Sequence, residues 1–119
     1  MCLGSDIEND NKDYETETTV FQLAAVTPDM KNYWTDYTSD GRTFIDPNGV
    51  GYYLSKETAA ESKFEKNFPQ TTVGERSTKP TTGDWVSLVV ALGKAPKAKG
   101  FVYAVFPRTD AAALSKFAI

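Results

Sequence analysis

The side chains best suited to chemistry fall in four places. Tyr33, Trp34, Tyr37 and Arg42 lie within "PDMKNYWTDYTSDGR" (28–42), flat aromatic faces beside a cation. Lys94, Lys97 and Lys99 lie within "GKAPKAKG" (93–100), a short cationic strip that could meet a polyanion. Asp6, Glu8, Asp10 and Asp13 crowd the N-terminal stretch, but their spacing fits no EF-hand loop, so a solvated flexible segment accounts for them better than calcium. Cys2 is the single cysteine, so the chain forms no internal disulfide. The plain alternatives are a loop folding its aromatics back as a lid, and a solvated lysine turn; both are the simpler accounts. Trp85 and the six tyrosines (Tyr14, Tyr33, Tyr37, Tyr52, Tyr53, Tyr103) read most simply as packing residues.

What is missing restricts the chemistry further. The 119 residues include no histidine. Histidine is the commonest general acid and base and the commonest transition-metal ligand. Serine–histidine and cysteine–histidine nucleophiles are therefore excluded, and one cysteine without histidine argues against zinc. No metal or other cofactor is expected. The net charge of -3 argues against a nucleic-acid module while leaving room for a local basic patch. No apolar run approaches the ~20 residues of a membrane helix.

The elements that must hold these residues are mostly strands. "TTVFQLAA" (18–25) is β-branched and aromatic and predicts a strand after a polar, acidic loop or tether at 6–17. "DPNGVGYYL" (46–54) predicts a turn, with Pro47 presetting φ and Asn48 and Gly49 tolerating positive φ, then a strand. "SKETAAESKFEKN" (55–67) has helix-forming composition, with Ser55 as a cap and Phe64 as its one good anchor, but it is short for an isolated helix, and helix and strand both stay open for it. "QTTVGER" (70–76) predicts a strand and "STKPTTGD" (77–84) a loop. "WVSLVVAL" (85–92) predicts a strand buried on both faces, and "FVYAVFP" (101–107) a last strand stopped by proline. "TDAAALSKF" (109–117) predicts a short helix capped by Thr109. The count implies an all-β, antiparallel sandwich with one or two short helices, a single domain or domain fragment over 1–119: strand stub and acidic loop at 1–17, sheet region at 18–107, short helix at 108–119.

Residues 56–67, "KETAAESKFEKN", resemble the N-terminal helix of pancreatic-type ribonuclease, but nothing else does. That enzyme class needs histidines and a disulfide framework, so the likeness is coincidental.

Taken in order, "CLGSDI" (2–7), "ETTVFQ" (17–22), "DPNGVGYYL" (46–54), a glutamine-bearing strand near Gln70, and "GDWVSLVVALGKAPKAKGFVYAVFPRTDAAAL" (83–114) form a pattern. It resembles the β-sandwich region of polysaccharide lyase family 8, in particular its chondroitin sulfate ABC lyase branch. One departure is Leu92, which stands before Gly93 where the family usually has histidine. The resemblance implies a strand-end role for the "CLGS" stretch well inside a larger domain, with Cys2 a small apolar residue rather than a lipid-bearing one.

It further implies membership of an enzyme that cuts uronic-acid glycans by β-elimination. The neighbouring carboxylate is neutralised while a base removes the C5 proton. In that family asparagine, histidine, tyrosine and arginine from a helical toroid do this work, and the β-domain supports the toroid. No catalytic residue is therefore expected in this chain alone. The implied partners are the rest of the lyase chain and, through it, an acidic polysaccharide; the implied location is secreted or periplasmic. Sugar-contacting candidates are Tyr33, Trp34, Tyr37, Arg42, Lys94 and Lys97. Three readings follow in order of preference. A structural piece of a glycosaminoglycan lyase predicts exposed sheet edges and an unpaired first strand. A stand-alone carbohydrate-binding sandwich predicts a closed sandwich with an aromatic platform. A lipid-anchored interaction module predicts disorder over the first ~15 residues.

Overall fold

The computed structural model describes residues 1–24, 41–46, 48–73 and 80–117. In chain order the elements are β1 (Cys2–Ile7), β2 (Glu15–Ala24), β3 (Thr43–Ile45), β4 (Gly51–Leu54), α1 (Lys56–Ala60), β5 (Ser62–Val73), β6 (Pro80–Lys94), β7 (Lys99–Phe106) and α2 (Ala111–Phe117). The strands form two antiparallel sheets, one ordered β1-β7-β4-β3 and the other β2-β6-β5. Among the described residues this is the all-β sandwich with two short helices that the turn and strand pattern implies.

The core explains the arrangement. Val86, Leu88, Val90 and Leu92 alternate along β6 and are all buried, so one face of the central strand is continuous hydrocarbon. Phe21 from β2, Phe44 from β3, and Tyr52 and Leu54 from β4 complete the cluster, so both sheets contribute. The Phe21 ring lies 4.6 Å from Tyr52, and Phe44 lies 5.2 Å from Phe64. Both pairs are tilted, and Phe21 also meets Phe44 and Phe64 edge-on; such contacts add to the area term in aromatic cores. Ser87 and Ala91, on the opposite face of β6, are also buried, as a two-sided strand requires.

Several expectations change. The stretch open to helix or strand divides between them: helix α1 stops at Ala60, and Ser62 onward is strand β5. Ser55 does cap α1, its Oγ accepting from the Thr58 amide at 3.2 Å. Phe64 is half-buried and pairs across to Leu88, so the helix-forming composition of 62–67 yields to the core contact of that ring. The loop expected at 77–84 gives way from Pro80 onward to β6, which pairs with the far end of β5 as a long hairpin arm. Strand β3 had no separate expectation. The C-terminal helix is capped by Asp110, whose Oδ1 accepts from the Ala113 amide at 2.8 Å, rather than by Thr109. The excursion up to Asp40, Pro47, and the 74–76 end of the strand expected at 70–76 lie outside the described residues.

The first strand is paired, not alone: Cys2, Leu3 and Gly4 sit opposite Tyr103, Val102 and Phe101 of β7. The Phe101 ring covers Gly4 so closely that a Cβ there would fall 2.4 Å from it. Cys2 is half-buried and its side chain is hydrogen-bonded to Tyr103, which with partial burial raises the Tyr103 phenol above its ordinary range. Strand β1 is also the edge of its sheet, with Met1 and Leu3 exposed at 91% and 72%.

Candidate functional site

The lysine strip lies on a connector whose shape is fixed at both ends. Gly93, Ala95 and Ala98 all take positive φ (87°, 45° and 50°), which turns the chain sharply between β6 and β7. The acidic segment is not a loose tether. The Asn9 amide donates to the Pro96 carbonyl at 3.2 Å, and the Ala95 amide donates to the Asn11 carbonyl at 2.7 Å. Within the segment, the Asn11 side-chain oxygen accepts from the amides of Asp13 and Tyr14, and Asn9 Nδ2 donates to Thr16 Oγ1. Residues 8–14 are thus a hydrogen-bonded loop strapped to the lysine connector; Glu8, Asp10 and Asp13 stay exposed, as solvation of the acids implies, and only the expectation of a flexible tether is corrected.

Beside the connector is an open groove of about 500 Å³, lined among others by Glu15, Glu61, Lys63, Lys94, Lys97 and Lys99. Glu61 is set there by its carbonyl, which accepts from the Ala91 amide of β6. Lys63 Nζ meets Glu15 Oε2 at 2.9 Å, and Lys99 Nζ meets Glu61 Oε1 at 3.6 Å. The hydrogen bond that Lys63 donates to the Glu15 carboxylate holds Lys63 above the usual lysine range. Among the described residues, Lys94 and Lys97 have no ion-pair partner.

Arg42 lies elsewhere. Its Nε donates to the Leu54 carbonyl at 3.3 Å, its guanidinium bonds the Tyr53 hydroxyl, and it stands 5.1 Å from the Tyr53 ring centroid. Tyr53 in turn meets Phe117 edge-on at 5.2 Å, and Phe106 meets the same ring at 4.7 Å. The structure therefore brings Lys94 and Lys97 together and leaves Arg42 in a separate aromatic cluster. Tyr33, Trp34 and Tyr37 lie outside the described residues.

The "DPNGVGYYL" turn is organised by a buried carboxylate. Asp46 Oδ1 accepts from the amides of Asn48 at 2.8 Å and Val50 at 3.0 Å, and Oδ2 accepts from the Tyr52 hydroxyl at 3.0 Å. Burial, then the bond to Asp46 and its negative charge, push the Tyr52 phenol well above its ordinary range. Gly49 takes φ 78°, and its carbonyl accepts from the Thr109 amide. A Cβ at Gly51 would fall 2.3 Å from Thr109 Cγ2, so α2 packs over that glycine. The spacing of Asp46, Gly49, Gly51 and Tyr52 thus meets the hydrogen-bonding and packing needs of one turn and one helix contact, and its role is structural.

The family model for the super-sandwich domain of polysaccharide lyase family 8 matches residues 1–118. The chain belongs to polysaccharide lyase family 8. Among relatives of this lyase domain, a chondroitin sulfate ABC exolyase from Bacteroides thetaiotaomicron is 47% identical over 99% of the chain. A chondroitin sulfate ABC exolyase from Proteus vulgaris is 34% identical over 88% of the chain, and a chondroitin sulfate ABC endolyase from the same organism is 29% identical over 89%. The chain spans about 11% of the length of each of these relatives. Among the described residues no three His, Cys, Asp or Glu side chains gather as a metal site, and no helix is long and apolar enough to cross a membrane.

Sequence reasoning missed Glu15, Glu61 and Lys63. They are remote from the lysine connector in the chain, and only the pairing of β5 and β2 with β6 makes them its neighbours. No local pattern announces such a meeting.

Proposed function

We propose that this chain is a β-sandwich portion of a glycosaminoglycan lyase that acts by β-elimination, and that it supports the catalytic helical domain without turning over substrate by itself. The observation that carries this reading is the match of the whole sandwich to the super-sandwich domain, in relatives of which it spans about a ninth. The open outer edge of β1, with Met1 and Leu3 facing solvent, suits a piece that continues into further sheet or packs on a neighbouring domain. The acidic polysaccharide is met through the assembled enzyme, outside the cytoplasm. The test is to incubate the purified chain with chondroitin sulfate and follow ultraviolet absorbance of unsaturated uronate products. No product is expected from the chain alone. Produced together with the remaining portion of such a lyase as a separate polypeptide, it should associate and product should appear. Product from the chain alone, or failure to associate, overturns the proposal.

A further inference from the structure

We propose that the groove between the β6–β7 connector, the start of β2 and the start of β5 is itself a contact strip for an anionic polysaccharide, read by Lys94 and Lys97. The choice of glycan rests on the lyase reading; the charge geometry does not. The protein is acidic overall, yet this groove carries four lysines against two carboxylates. Two of those lysines, Lys63 and Lys99, are occupied by Glu15 and Glu61, while Lys94 and Lys97 have no ion-pair partner among the described residues. Their spacing is preset. The connector is bent by three positive-φ residues and tied by two backbone hydrogen bonds to the loop at 8–14, so little backbone freedom is lost when a ligand binds. An open groove rather than an enclosed pocket suits a polymer passing through, with carboxylate or sulfate groups repeating along it. Glu15 and Glu61 act as internal competitors: each holds a cation that an incoming anion would otherwise share.

The arrangement predicts opposite signs for two kinds of variant. Calorimetric titration of this chain with size-defined chondroitin sulfate oligosaccharides should show binding that weakens as salt is raised, and uncharged dextran oligosaccharides should not bind. Lys94→Ala with Lys97→Ala should weaken binding about tenfold, the scale of losing two exposed charge contacts. Glu61→Gln should strengthen it about threefold by releasing Lys99. Lys116→Ala, on α2 and away from the groove, should leave it unchanged, and circular dichroism should show every variant folded. Absence of binding by the parent chain, unchanged binding by the double lysine variant, or weakening by Glu61→Gln overturns the assignment. Association with the rest of the lyase without glycan binding would sink this proposal alone; binding without association would sink the scaffold reading alone.

Discussion

Replacing Asp46 by alanine should cost this fold more than any other single polar change among the described residues. The carboxylate is buried, at 5% exposure, and serves three donors. Hydrogen bonds to charged groups contribute about 1.5–3 kcal/mol each, and a buried donor left without an acceptor bears its full desolvation cost. Tyr52 is buried and would lose its acceptor outright, a cost of about 1.5 kcal/mol; half-buried Val50 adds about 1 kcal/mol, and exposed Asn48 recovers most of its bond from water. The expected destabilisation is about 3 kcal/mol, a large share of the ~5–15 kcal/mol that holds a domain folded. In urea unfolding followed by tryptophan fluorescence, a slope of about 1.5 kcal/mol/M would lower the midpoint by about 2 M. Asp46→Asn retains an oxygen for the two amides and should cost only about 1 kcal/mol. Tyr52→Phe should cost about 1–1.5 kcal/mol, and the double variant should fall short of the sum, because the two groups share one bond. If Asp46→Ala unfolds at the same urea concentration as Tyr52→Phe, the carboxylate is not the organiser of the turn and the reasoning fails.

Two further outcomes test the same region. Gly51→Ala should destabilise by about 2 kcal/mol through overpacking against Thr109 Cγ2, and adding Thr109→Ser, which removes that methyl, should restore most of it in thermal unfolding; no recovery would mean that the clash is not the cause. Tyr52 has its phenol pKa raised on folding, so its contribution is complete below the unfolded-state value near 10 and is lost as pH rises through the folded value. Unfolding followed above pH ~10 should therefore show stability falling with pH, less steeply in Tyr52→Phe. Some slope should remain, since Tyr103 and Lys63 are raised as well.

The strands were legible where burial imposes a period. The near-continuous apolar run of 85–92 predicts a covered strand, and β6 is the hub of its sheet. The residues leave helix or strand open where local preference and the core disagree. The Ser-Lys-Phe-Glu-Lys string of 62–66 would serve a helix well, yet Phe64 sits at the junction of Phe21 and Phe44, and only an extended backbone carries it there. The acidic segment misled for another reason. Its acids are exposed, as their charge implies, but its order comes from two asparagines that bond amides nearby and the Ala95 amide and Pro96 carbonyl of the connector. Of the site, Lys94 and Lys97 were visible as a local run. Their acidic competitors were not, because register across two strand pairs sets that proximity.

Strand β7 joins β1 on one side and β4 on the other, so the earliest strand in the chain cannot find its place until the latest has been made. Closing such a distant pair is slow, since the chain entropy is lost before the contact rewards it. Until β7 is made, β1 has no sheet partner among the described strands and is exposed to mispairing. Shortening the chain before Lys99 would leave that wait without an end.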